Sequence, residues 1–372
     1  MHTDRRNWLK QTAFLLAALG TKSELFAAPY NLHAPGDNMI LLNSNENAYG
    51  PSPSARKAIL DHYLQSNRYP DDILITLKKK VAAHWSVQEE NILLGAGSSE
   101  IIGLALISMN SLKKHLLVAD PAYSVWQSQA KALGYNFTKV VLDKDRKYDL
   151  QKMTIETKKS PPYFIYICNP NNPTGTFIEP GTIKQFAETI SSDHLIFIDE
   201  AYTEYADLPS LASFALTKPN IIVAKTFSKV YGLAGARVGY AIARPDTINR
   251  LAGLQPWPEA NISVASAAAA IAALDDQDFV SDCKQKTEQA KEICYAAFKQ
   301  LQLEYIHSSA NFILFNINKI KGDLTEQMKV KNIYVQHREH FGGRWCRVTM
   351  GTLEEMDQIC KSAQRNCGIE EY

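Results

Sequence analysis

Ile221-Ile222-Val223-Ala224-Lys225-Thr226-Phe227-Ser228-Lys229 is the stretch whose reading decides the fold. Its first seven residues, Ile221–Phe227, are mostly apolar and rich in β-branched side chains, so they are expected to form a strand. The run does not alternate with polar residues, which marks a strand buried on both faces. Working outward, similar runs occur at Ile92–Leu94, His115–Ala119, Thr138–Leu142, Tyr163–Cys168, His194–Asp199 and Val238–Ala243. Helical patterns lie between them, for example Ser98–Met109, Tyr123–Leu133 and Pro180–Ile190. Buried strands alternating with helices predict an α/β fold, a doubly wound core on a mostly parallel sheet.

The pattern changes after residue 255. Ile262–Leu274 is Ala-rich and helical, and Asp278–Leu301 reads as a long amphipathic helix. Asn311–Ile317, Ile333–Gln336 and Cys346–Met350 read as strands, and Glu354–Gln364 as a last helix. The expected organisation is an N-terminal signal over 1–27, a loop-like arm over 28–50, a large domain over 51–255 and a small α+β domain over 256–372. A chain of 372 residues has room for two such domains. With 45% apolar and 21% charged residues it is neither disordered nor a disulfide scaffold. A formal net charge of +1 offers nucleic acid no basic field, so small molecules are the expected ligands. The six cysteines form no C-x-x-C pair and no Cys/His cluster with zinc spacing, so reduced thiols and no metal are expected. Cys360 and Cys367 would be about 10 Å apart on one helix, too far for a disulfide.

The N-terminus departs from an ordinary cytosolic enzyme. Arg5-Arg6-Asn7-Trp8-Leu9-Lys10 precedes the apolar run Ala13–Leu19, and small residues follow at Ala27-Ala28. A basic start, a short apolar run and small residues make a secretory signal, and the run is too short for a stable membrane span. The paired arginines resemble a twin-arginine signal. The expected location is therefore exported and periplasmic, or cytoplasmic if the segment is an amphipathic arm that is not used as a signal. Cleavage near Ala27 would remove four basic and two acidic residues and take the charge from +1 to −1.

Four segments carry candidate chemistry. Lys229 follows the deciding strand, and burial there lowers a lysine's pKa, as a Schiff-base amine requires. Thr226, Ser228 and Arg237 beside it suit a phosphate group, and Gly232, Gly235 and Gly239 allow close approach of the backbone. Read alone, the segment is equally well an ordinary surface turn. Asp199-Glu200-Ala201-Tyr202 follows another strand, so Asp199 would point into the same site and keep a ring nitrogen protonated, or simply cap a helix. Asn169-Pro170-Asn171-Asn172-Pro173-Thr174-Gly175 is a rigid turn that can aim the Asn172 amide, or a turn and nothing more. Gly95-Ala96-Gly97-Ser98-Ser99-Glu100 sets glycines at a helix N-terminus, which makes either an anion site or a plain cap. Ligand sites in such sheets lie beyond the carboxyl ends of the strands, where these segments fall.

In chain order the four give a phosphate cradle, an Asn turn, an Asp-x-x-Tyr and a Lys-x7-Arg, a set that resembles the fold-type I pyridoxal-phosphate (PLP) aminotransferases, and within them the histidinol-phosphate aminotransferase family. Further matches are Leu42–Asn47, Tyr49-Gly50-Pro51-Ser52-Pro53, Arg68-Tyr69-Pro70-Asp71, Pro121-Ala122-Tyr123 and Arg347–Thr352, so the resemblance spans about residues 40–365. It implies PLP as cofactor, with Lys229 as the Schiff-base lysine and proton carrier. Asp199 would pair with the pyridinium nitrogen, Asn172 and Tyr202 with the phenolic oxygen, and Tyr123 would stack on the ring. Gly97, Ser98, Thr226, Ser228 and Arg237 would hold the phosphate. Tyr69 would reach the neighbouring subunit's phosphate in a homodimer. Arg347, and with it Asn45, would bind substrate, Arg347 as the fork on an α-carboxylate. The implied reaction moves an amino group between an amino acid or amine and a 2-oxo acid such as 2-oxoglutarate.

The chain departs from the family where an arginine after the strand at Ile333–Val335 binds the substrate phosphate: here Gln336 stands, followed by His337 and Arg338. The family's Asn-Glu-Asn-Pro reads Asn45-Glu46-Asn47-Ala48, and Tyr30 matches the family's N-terminal substrate-contacting tyrosine only at a different spacing. An export signal also sits oddly with histidine synthesis. The alternatives are an aromatic amino-acid aminotransferase, another PLP reaction such as decarboxylation of a threonine phosphate or β-elimination, and a non-catalytic PLP-binding protein.

Overall fold

The fold is that of a computed structural model, which describes residues 39–109, 114–159, 163–258 and 261–366. The signal expected over 1–27, Tyr30 and Cys367 lie outside the described residues.

The apolar runs form the strands expected of them. After a short β1 (Ile40–Leu41) come β2 (Ile92–Gly95), β3 (His115–Asp120), β4 (Asn136–Val141), β5 (Tyr163–Cys168), β6 (Leu195–Asp199), β7 (Ile221–Thr226) and β8 (Gly239–Ile242). They build a seven-stranded sheet in the order β2-β8-β7-β6-β5-β3-β4, in which only β8 runs against its neighbours. Every residue of β2, β5, β6, β7 and β8 is buried, which explains why these strands read as unbroken apolar runs.

The sheet's two faces carry separate cores. Ile165, Ile167, Ile196, Ile198 and Val223 face one, while Phe164, Tyr166, Phe197, Ile222 and Ala224 face the other. The first core is covered by α1 (Pro53–His62) and α2 (Asp71–Trp85), the second by α3 (Ser98–Ser108). The smaller unit has an antiparallel sheet of β9 (Tyr305–Ile306), β10 (Phe312–Asn316), β12 (Gln336–His340) and β13 (Gly343–Thr349), in the order β12-β13-β10-β9. Its core also takes in α5 (Gln277–Gln300) and α6 (Leu353–Asn366).

Three expectations change. Helix α4 (Val264–Asp275), read as part of the small domain, packs on α1 and α2 and places Ala267, Ala270 and Leu274 in the large sheet's core. An Ala-rich helix fits there because its small side chains permit close approach. Core membership changes within α5, between Cys283 and Ala290, so packing puts the transition later than residue 255. The arm is not wholly loop: β1 pairs in parallel with β11 (Ile333–Tyr334), and Leu42 joins the small core. The strand expected at Ile333–Gln336 divides at Val335, its first part pairing with β1 and its second starting the β12–β13 hairpin.

Candidate active site

The carboxyl ends of β5, β6 and β7, the N-terminus of α3, the arm and the β12–β13 hairpin converge on one cavity of about 540 Å³. Asn45, Ser98, Tyr123, Asn172, Asp199, Tyr202, Thr226, Ser228, Lys229, Arg237 and Arg347 all line it, so the structure brings together segments far apart in sequence. The lining carries four cationic side chains (Lys229, Arg237, Arg338 and Arg347) against two carboxylates (Glu46 and Asp199). That balance suits anionic ligands.

Where β7 ends decides which of two nearby lysines can do chemistry: Lys225 is inside the strand and Lys229 is beyond it. Lys225 points to the back of the sheet, 1% exposed, between Glu204 at 3.0 Å and Glu200 at 3.2 Å and over the Trp85 ring at 4.4 Å. Burial pulls its pKa down, but the two carboxylates outweigh burial and the net shift is upward, so it stays cationic. Lys229 lies past the strand's end, its Nζ donating to the Ser44 carbonyl at 3.3 Å. Desolvation, with Arg347 and Arg237 nearby, outweighs Glu46 and Asp199 and lowers its pKa to about 8. A substantial neutral fraction is therefore available near neutral pH, as nucleophilic attack on a carbonyl requires. Lys225→Met should lower stability by about 3 kcal/mol, because the buried Glu200 and the half-buried Glu204 lose their cation. It should leave the lysine that faces the cavity intact; denaturant unfolding and cofactor absorbance, measured on the same sample, check both halves.

Asp199, 3% exposed, accepts from Tyr166 Oη at 2.7 Å and from the Ala201 N–H at 3.1 Å. Burial raises its pKa despite these donors. A cation placed against it in the cavity would offset that cost. Tyr202 Oη accepts from Asn45 Nδ2 at 2.9 Å and Asn172 Nδ2 at 3.2 Å. With both acceptor positions used by amides, its proton is left to donate into the cavity. Asn172 is oriented from its other end, where Oδ1 accepts from Arg347 Nη1 at 2.7 Å. Arg347 Nη2 donates to the Asn43 carbonyl at 2.7 Å, while Nε is buried without a partner.

The phosphate cradle rests on two glycines. Gly97 caps α3 at φ 80, a conformation that other residues adopt at a cost, with the Arg237 guanidinium against its α-carbon. At Gly239 a Cβ would fall 2.5 Å from the Ser98 nitrogen, so only glycine lets β8 pass the start of α3. Thr226 Oγ1 donates to Ser228 Oγ at 2.8 Å on the opposite side. Free N–H groups at a helix start, two hydroxyls and a guanidinium form an anion site. Cradle, Asp199 and Lys229 thus offer an anchor for a phosphate, a partner for a ring cation and an amine for an aldehyde, so the residues fit PLP.

Tyr69 lies outside the cavity lining, 71% exposed and against the Trp257 ring at 4.8 Å. Several site residues escaped the sequence reading. Tyr166 shares a strand face with Phe164 and Cys168, and the strand's period of two is the sequence signal that places it there. Thr349 accepts from the Asn45 N–H at 2.9 Å, and Asn45, at φ 55, is held by a strand 304 residues away that no local pattern reveals. Arg338 and His340 also line the cavity, alternating with Gln336 on one face of β12. Among the described residues no group of three or more His, Cys, Asp or Glu could hold a metal ion, and no helix is long and apolar enough to cross a membrane.

A family model described as aminotransferase class I and II matches residues 37–362. A histidinol-phosphate aminotransferase 2 of Carboxydothermus hydrogenoformans is 33% identical over 320 residues, 85% of this chain and 87% of that protein. A histidinol-phosphate aminotransferase of a Geobacillus species is 34% identical over 327 residues, 87% of this chain and 88% of that protein. Among solved structures, the Sinorhizobium meliloti histidinol-phosphate aminotransferase in complex with pyridoxal-5'-phosphate superposes with a TM-score of 0.82 at 25% identity, covering 89% of this chain and 91% of that one.

Proposed function

Since the chain belongs to the class I and II aminotransferases and is a PLP-dependent aminotransferase, we propose that its substrates carry a second anionic group besides the α-carboxylate or amine-bearing end. The observation behind this is Arg338, which enters the cavity on the same strand face as Gln336 and His340 and two positions beyond the residue opposite Arg347. Burial lowers the pKa of His340, so Arg338 brings the fixed charge. A phosphate ester such as histidinol phosphate and a dicarboxylate such as glutamate both satisfy that requirement. Similarity to histidinol-phosphate aminotransferases makes histidinol phosphate the leading substrate. PLP-loaded protein mixed separately with histidinol phosphate, glutamate, alanine and phenylalanine tests this. Rapid conversion to the pyridoxamine form with the first two and slow conversion with the last two is expected; the reverse order would overturn it.

Bound PLP supplies an aldehyde that captures amines and a cationic ring that withdraws electrons. Lys229 would anchor it and supply the amine that carries the proton at the substrate's α-carbon. Asp199 would keep the ring nitrogen protonated, and Tyr202, fixed by Asn45 and Asn172, would donate to the phenolic oxygen. Tyr123 would lie against the ring. Gly97, Ser98, Thr226, Ser228 and Arg237 would hold the phosphate. Arg347 forks onto the α-carboxylate, its geometry set by Asn43 and Asn172. Arg347→Lys should raise KM for α-amino acids about tenfold to hundredfold, equivalent to losing one charged hydrogen bond. Steady-state kinetics with glutamate check this, and an unchanged KM removes Arg347 from the substrate contacts.

The working unit in this proposal is a homodimer. Tyr69, Leu64 and Tyr63 leave 71%, 75% and 55% of their surface exposed around the end of α1, an apolar surface that a second copy would cover. Light scattering should give twice the chain mass; a monomer that still turns over would contradict it. The chain is also proposed to be exported through its Arg5-Arg6 motif, on the strength of the basic–apolar–small order of residues 5–28. Cell fractionation should find it in the periplasm, and replacing both arginines by lysine should retain it inside; equal distribution of the two forms would refute export.

A further inference from the structure

Cys294 and Cys360 meet in the core of the small domain, with 4.0 Å between their sulfurs. Cys294 is on α5 and lies with Ala290 and Phe298 on the helix's inward stripe; Cys360 is on α6 beside Met356 and Ile359. Each position follows the helical period of its own element and would serve as core with any small apolar residue. The pair is distinguished by the partner each meets: a thiol facing a thiol, both free and buried, across two helices that pack on each other.

We propose that Cys294 and Cys360 are a disulfide-forming pair that fastens α6 to α5 when the protein meets an oxidising thiol–disulfide environment. The two sulfurs are 66 residues apart in sequence. The loop they would close contains β9 to β13, and with them Arg338 and Arg347. Closing a loop of that length stabilises chiefly by restricting the unfolded chain. Bond formation needs the sulfurs to approach by about 2 Å, within reach of a rotamer change and a small shift of α6.

The co-reactant is a disulfide, such as glutathione disulfide. Cys360, at 7% exposure against 1% for Cys294, is the sulfur that meets it first. With the sulfurs 4.0 Å apart, the Cys294 thiol can donate to Cys360 once Cys360 ionises. The Cys360 thiolate attacks one sulfur of the donor, the donor's S–S bond breaks and one thiolate leaves. Cys294 gives its proton to water and attacks the Cys360 sulfur. The bond to the donor breaks, the second donor thiolate leaves, and Cys294–Cys360 remains. Two protein thiols lose two electrons and two protons, and the donor's disulfide becomes two thiols. This step does not depend on the route by which the chain is delivered.

The test uses the full-length, PLP-loaded chain equilibrated with glutathione disulfide, acid-quenched, alkylated in denaturant and digested without reductant. A cross-linked peptide pair containing Cys294 and Cys360 is expected, with those two sites protected from alkylation. Reductant should lower Tm by about 5 °C in the oxidised wild type and leave Cys360→Ala unmoved. If both thiols remain alkylatable, or each is found joined to glutathione alone or to Cys367, the proposal is overturned.

Discussion

Lys229→Ala should lose the visible absorbance that PLP acquires on loading, and amino transfer should fall by about 10⁴-fold or more. The substitution removes both the covalent anchor and the proton carrier, and general acid–base assistance alone accounts for about 10²–10⁴-fold. The cradle of Gly97, Ser98, Ser228 and Arg237 stays in place, so the variant should still bind PLP without the covalent link. Spectra and single-turnover rates on the same preparation separate the two losses. Loading itself carries a pH signature. Only the neutral amine attacks an aldehyde, so PLP uptake by the apoprotein should speed up as pH rises through about 8, the pKa to which burial and Arg347 bring Lys229. Full turnover by the alanine variant would show that another lysine does the work.

Asp199→Asn should lower kcat/KM by about 10³-fold, because the carboxylate that keeps the ring nitrogen cationic is gone and the ring withdraws electrons less well. Stability should move the other way. Burial raises the Asp199 pKa above its unfolded value. Above that unfolded value the folded state therefore holds more protons than the unfolded one, and stability contributed by this group falls as pH rises through the window between the two pKa values. Removing the carboxyl removes that cost, so apo Asp199→Asn should melt at the wild-type temperature or higher, with Tyr166 Oη still able to hydrogen-bond the amide. A large loss of activity with no loss of stability identifies Asp199 as a functional carboxylate. Parallel losses of both would make it a structural one.

The large sheet was legible because its strands are buried on both faces and bounded by turns. Tyr163–Cys168 was read to the residue, and the others shift by one or two positions at their ends. The small domain was harder. β9 is two residues long, and the β12–β13 hairpin has a polar strand, Gln336–His340, that no apolar periodicity betrays. Helix α4 was assigned to the wrong side because an Ala-rich helix, apolar nearly all round, does not show which core it joins.

The site was readable as four local motifs, and the cavity holds the key residue of each. The connections among them were not readable. Asn45 to Thr349 and Arg347 to Asn172 are contacts across more than 170 residues, set by how the arm and the small sheet close over the large one. Nor did the sequence separate Lys225 from Lys229 on physical grounds. The distinction rests on Lys225 lying inside β7 against Glu200 and Glu204, while Lys229 lies beyond the strand's end at the cavity.

The most direct test of the central claim is where PLP attaches. The loaded protein would be reduced with borohydride, digested and mapped by mass spectrometry. The account predicts one phosphopyridoxyl group per chain, on Lys229, with Lys225 unmodified. A label on Lys225 or elsewhere, or none at all, would contradict it.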